Sequence, residues 1–108
     1  MSNITRLPTA AGGQGFTSDH RALIARIQDL CITVSLQRDD LYATCHYAGH
    51  VHTLDVRVVP TDGSHDAVWT GHVRLPPKPH VHADVVLADL TDIIDHLESL
   101  LPAPGGAA

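Results

Sequence analysis

A chain of 108 residues, 44% of them apolar, is sized for one modest hydrophobic core and not for two. Its formal charge is −5, and six arginines with a single lysine are scattered along it; that spacing offers no concentrated positive surface and argues against a nucleic-acid partner. No apolar run reaches the ~18–20 residues that cross a bilayer, the first nine residues hold no apolar signal core, and two cysteines make no disulfide framework, so a cytoplasmic protein with no membrane partner is expected.

Residues 1–16 contain Gly12, Gly13 and Gly15 without any apolar period and are expected to form a flexible N-terminal arm. Ser18 or Asp19 is placed to cap a helix running to about Asp29. Leu23, Ile24 and Ile27 mark its apolar stripe, Arg21, Ala25, Arg26 and Gln28 fall opposite, and His20 borders the stripe. From Leu30 the period reads as two: Leu30, Ile32, Val34 and Leu36 alternate with Cys31, Thr33, Ser35 and Gln37, which predicts a half-buried strand.

Three further strands follow the turn at residues 37–40. Leu41, Ala43, Cys45 and Tyr47 alternate with Tyr42, Thr44 and His46. After Ala48-Gly49, Leu54, Val56 and Val58 alternate with Asp55, Arg57 and Val59. Beyond the break from Pro60 to Ser64, Trp69, Val73 and Leu75 alternate with Val68, Thr70, His72 and Arg74. Directly opposed residues of an antiparallel pair share a face and have a constant index sum. The inward sets alternate between even and odd numbers, so each connection needs an odd sum, which tight turns at 38–39 and 48–49 supply, as do four-residue turns at 37–40 and 47–50. Pro76, Pro77 and Pro79 exclude a central strand or a helix interior there. A second helix is expected from near Asp84, with Val86, Leu87, Leu90, Ile93, Ile94, Leu97, Leu100 and Leu101 on one broad face.

These elements predict an α+β fold: a two-layer sandwich of helix, four-stranded antiparallel meander and helix, with both helices on one sheet face. Residues 17–101 make the single domain, and 102–108 a disordered C-terminal tail. Thr33, Ser35, Tyr42, Thr44, His46, Asp55, Arg57, Thr70, His72 and Arg74 are left on the other face.

Histidine is over-represented, with nine copies, and protonating all of them would carry the formal charge from −5 to +4. Two His-x-His pairs occur, His50-Val51-His52 and His80-Val81-His82. The tight-turn register places His52 opposite Cys45 and His50 opposite Tyr47. Cys45, His50 and His52, completed by His82, then offer one sulfur and imidazoles to zinc or copper. That metal-binding protein is the alternative reading, since the spacing matches no familiar zinc signature; the main one implies no cofactor. Ser64-His65-Asp66 holds the residue types of a hydrolase triad, but consecutive side chains cannot converge on one reacting atom. Asp89, Asp92, Asp95 and Glu98 form an acidic ridge on the last helix, with His96 the only basic group inside it.

With no assembled catalytic signature, the chain reads as a non-enzymatic protein-interaction module, an adaptor, inhibitor or immunity-type partner. Its expected contact residues are Tyr42, Thr44, His46, Arg57, His72 and Arg74 on the polar sheet face, and Asp89, Asp92, Asp95 and Glu98 on the ridge. The first and fourth strands would be open edges, through which a homodimer is expected to pair.

Overall fold

The computed structural model describes residues 16–76 and 81–102. The expected arm up to residue 15, the crossing at 77–80 with His80, and the tail from residue 103 lie outside the described residues. The fold is α+β, with elements in the order α1 (Ser18–Gln37), β1 (Leu41–Ala48), β2 (Thr53–Pro60), β3 (Trp69–Arg74) and α2 (Ala83–Ser99). The strands make one antiparallel sheet in the order β1-β2-β3.

The expected first strand is not a strand. Residues 30–37 continue α1, which is 20 residues long, so the sheet has three strands in place of the expected four. The apolar residues from Leu30 to Leu36 satisfy two periods at once. Leu30 and Val34 are four apart and therefore belong to a helical stripe as readily as to an alternating one. Ile32 and Leu36 are the discriminating pair, and they are 54% and 79% exposed, whereas Cys31, out of phase with the alternation, is buried. His20, Ile27, Leu30, Cys31 and Val34 form one stripe along α1. No glycine or proline interrupts it, and the two hydroxyl residues of the segment are absorbed by the helix. Thr33 Oγ1 donates to the Asp29 carbonyl at 3.0 Å and Ser35 Oγ to the Cys31 carbonyl at 2.8 Å.

The N-cap is Thr17 rather than Ser18 or Asp19. Thr17 and His20 form a capping box in which the imidazole takes the place usually held by a carboxylate. The Thr17 backbone N–H donates to His20 Nδ1 at 3.1 Å. His20 Nε2 lies 3.2 Å from the Ala83 carbonyl, an acceptor only, so the ring carries its proton on Nε2. His20 is fully buried with both nitrogens satisfied, and it joins the start of α1 to the start of α2.

The remaining alternations hold except at Tyr47, expected inward yet exposed, and Val59, expected outward yet buried. Leu54, Val56, Val58 and Val73 are buried, while Tyr42, Thr44, His46, Arg57, Thr70, His72 and Arg74 are exposed. Both hairpins keep an odd index sum, but the first register differs from the tight-turn one. Ala48 pairs Thr53, Tyr47 pairs Leu54 and Cys45 pairs Val56, because the loop takes the four residues Gly49 to His52. In the second hairpin Thr53 pairs Arg74, Leu54 pairs Val73 and Val58 pairs Trp69. The helix expected near Asp84 begins at Ala83, with His82 as N-cap.

Leu30 and Ile27 of α1, Leu54, Val56, Val58 and Val73 of the sheet, and Leu90 and Leu97 of α2 belong to one buried cluster. At the far end of α1, Arg38 closes the helix through its backbone N–H to the Val34 carbonyl, and its side chain reaches the Leu100 carbonyl at 2.9 Å. The two helices are thus tied start to start and end to end, and they run in the same sense. Where α2 meets β3, the inward position is Gly71: a Cβ there would meet the Trp69 indole at 2.8 Å and Ile93 at 3.2 Å. Gly71→Ala is expected to lower stability by about 1–3 kcal/mol through overpacking, read as a reduced urea midpoint with an unchanged slope. An unchanged midpoint would show that the indole moves aside freely.

Candidate functional site

The outward positions of the three strands line up as rows across the sheet. Thr44 faces Arg57, and Arg57 faces Thr70; His46 faces Asp55, and Asp55 faces His72; Ala48 faces Thr53, and Thr53 faces Arg74. This grid follows from the core, because burying Leu54, Val56, Val58 and Val73 on one side turns every intervening residue to the other. Within the middle row the His72 Nδ1–H donates to Asp55 Oδ1 at 2.5 Å. Both side chains are about half exposed, so the pair orients the two groups more than it stabilises the sheet. Arg57 reaches the carbonyl of His65 at 3.3 Å, which holds the 61–68 loop against the neighbouring strand end. Val59 has the outward parity yet is only 3% exposed, lying beside Tyr42 in the register.

The histidine-rich hairpin does not assemble as expected. His50 and His52 lie in the loop and not on the strand, and Cys45 faces Val56 across the ladder. His52 closes the loop with a backbone φ of 52°, a left-handed conformation that histidine adopts more readily than most residues. Its Nδ1 lies 3.4 Å from the Tyr47 hydroxyl. His82 is the exposed N-cap of α2. Among the described residues no three His, Cys, Asp or Glu side chains come together in a way that would hold a metal ion. The Ser64-His65-Asp66 sequence is a local turn: Ser64 N–H donates to Asp62 Oδ1 and Asp66 N–H to Ser64 Oγ.

Cys45 instead shares a cleft with Cys31, whose burial on α1 the alternating pattern conceals. The neighbouring Cys31 thiol pulls Cys45 below its ordinary value against the opposing effect of burial, while Cys45 and burial together push Cys31 upward.

The sheet edges are unequal. The outward backbone groups of β1 belong to its odd residues, and Ser35 of α1 occupies those of Ala43, accepting from its N–H at 3.0 Å and approaching its carbonyl at 3.4 Å. A side chain expected on an exposed sheet face is therefore an edge cap. On β3 the outward groups belong to Thr70, His72 and Arg74, and among the described residues none is capped in this way.

On α2, Asp89, Asp92 and Asp95 are exposed as a ridge. Glu98 stands apart from them, because its Oε2 accepts from Arg26 Nη2 of α1 at 2.9 Å. His96 does not belong to the ridge either. It turns inward and stacks on Trp69 of β3, with ring centroids 4.1 Å apart and planes 14° from parallel. Sequence periodicity carries no signal for this stack, since neither residue's partner lies on its own element.

Comparisons with protein-family models, with curated proteins and with solved structures found no match.

Burial holds His96 below the ordinary imidazole value of 6.5. The unfolded chain then binds a proton at this position before the folded chain does, so its contribution to stability is complete above 6.5 and is lost as the pH falls through and below that value. His96→Phe keeps an aromatic ring on Trp69 without a titrating group. The variant is expected to lose less stability than the parent between about pH 7.5 and 5.5, measured as the urea midpoint at each pH. Parallel profiles for the two proteins would refute the assignment.

Proposed function

We propose that this protein is a non-enzymatic protein-interaction module whose recognition surface is the outer face of the sheet. In this reading both helices back the opposite face, so the fold is a two-layer arrangement that leaves the polar grid to a partner. The observation that carries it is the grid itself. Tyr42, Thr44, His46, Arg57, Thr70, His72 and Arg74 are exposed on three paired strands whose other side is packed into the core. A rigid support of this kind presents donors and acceptors at fixed spacings with little ordering cost on binding. The Asp55–His72 pair and the Arg57 contact with His65 pre-orient two of these residues, His72 and Arg57.

The chemistry suits a partner protein with a mixed polar surface, for which Tyr42 supplies the aromatic anchor and Arg57 and Arg74 the cations. Asp89, Asp92 and Asp95 provide a second docking element for a basic surface, acting through charge complementarity. Glu98 contributes less in this reading, since Arg26 already engages it.

Self-association through a sheet edge is assigned to β3. Ser35 caps Ala43 within the outer row of β1, whereas among the described residues no such cap lies on the backbone of Thr70, His72 and Arg74, which leaves β3 the more open to strand addition. Light scattering at micromolar concentration is expected to give twice the chain mass, falling to one chain mass on His72→Pro. A single-chain mass for the parent would remove the dimer and leave the recognition face unaffected.

The face is tested by capture from source cells on the untagged native protein, followed by affinity measurement with the captured partner. Tyr42→Ala combined with His72→Ala is expected to weaken binding at least ~10-fold, and Asp92→Lys with Asp95→Lys to act mainly through association rate and salt dependence, with thermal midpoints preserved. Unchanged binding in both sets would overturn this placement of the interface.

A further inference from the structure

We propose that Cys31 and Cys45 form a dithiol site that undergoes thiol–disulfide exchange with a small disulfide. The site is built at the junction of α1 and β1. Ser35, one helical turn beyond Cys31, bonds the backbone of Ala43, two residues before Cys45. Those bonds hold the helix against the strand beside the two cysteines. A cleft of about 320 Å³ opens there, lined by both cysteines with Gln28, Ile32, Leu36 and Ala43. Ile32 and Leu36 leave its rim apolar and accessible.

The two thiols are not equivalent. Cys31 is 4% exposed, whereas Cys45 is only partly buried, so an incoming disulfide reaches Cys45 first. The neighbouring Cys31 thiol favours the thiolate on Cys45, which makes the more accessible sulfur also the better nucleophile. Attack by that thiolate on a small disulfide RSSR forms a Cys45–S–SR bond, breaks the S–S bond of the reagent and releases one thiolate, RS⁻. The negative charge beside Cys31 has then gone, and with it one cause of the upward shift on that thiol. Cys31 gives up its proton and attacks Sγ of Cys45, forming the Cys31–Cys45 disulfide and expelling the second RS⁻. The pair has lost two electrons, RSSR has gained them, and the two cysteine protons accompany the two thiols released. The product fastens the second half of α1 to the middle of β1.

Oxidised glutathione is the probe, applied to the reduced full chain near neutral pH, with the reaction quenched in acid and followed by intact mass. The parent is expected to lose two hydrogens and keep no glutathione. Cys31→Ser is expected to stop at one mixed disulfide on Cys45, and Cys45→Ser to react at least ~10-fold more slowly. The parent result needs no variant and stands even where a substitution impairs folding. A parent that ends with two glutathione adducts, or that reacts only when urea is present, would overturn the proposal, as would equal rates for the two variants.

Discussion

The packing of α1 governs the rest of the structure. Its buried stripe runs from His20 to Val34 on one side of a 20-residue helix. A helix of that length has to lie against something along its whole extent. It does so against α2, to which it is joined by His20 at the start and Arg38 at the end, and against β1, to which Ser35 binds it. The capping histidine is central to this arrangement. One neutral ring satisfies the first turn of α1 through Nδ1 and a carbonyl of α2 through Nε2, so a single buried side chain serves both as a cap and as an interhelical tie. A carboxylate at this capping position could not also donate to the Ala83 carbonyl.

The sheet is specified by the same core. Burying Leu54, Val56 and Val58 of β2 in the core leaves its outward residues no freedom of face, and β1 and β3 inherit their registers from the ladder. The rows Thr44–Arg57–Thr70 and His46–Asp55–His72 are therefore a consequence of core packing, and the recognition surface we propose has the rigidity of the core behind it. Gly71 shows how closely α2 approaches β3. It is an inward residue without a side chain because the indole of Trp69 and the side chain of Ile93 occupy the space, and His96 completes that corner by stacking on the indole.

Much of this is legible in the residues. The alternations in 41–47, 54–58 and 69–75 identify three strands and the face each side chain takes, since period two admits one assignment once a face is buried. The broad apolar face from Val86 to Leu97 identifies α2 for the same kind of reason. The exposed grid is readable in advance because it is the complement of the apolar set. The segment 30–37 does not yield to this reasoning: Leu30 and Val34 fit both periods, and the choice between helix and strand depends on Ile32 and Leu36, whose exposure is decided only when the chain has folded. Through that ambiguity the expected four strands become three, and Ser35 moves from a sheet face to the edge of β1.

The sequence by itself determined the α+β class, the parity of three strands, the amphipathic last helix and the polar residues of the outer face, because each rests on a local period that burial of one side makes unique. Only the tertiary structure decided the length of α1, the four-residue loop that separates His50 and His52 from Cys45, the cleft shared by Cys31 and Cys45, and the departure of Glu98 and His96 from the acidic ridge. Each of these depends on a contact between residues on different elements. Hairpin parity leaves loop length free in steps of two, and a helical or alternating pattern states which side of an element is apolar without stating which neighbour that side will meet.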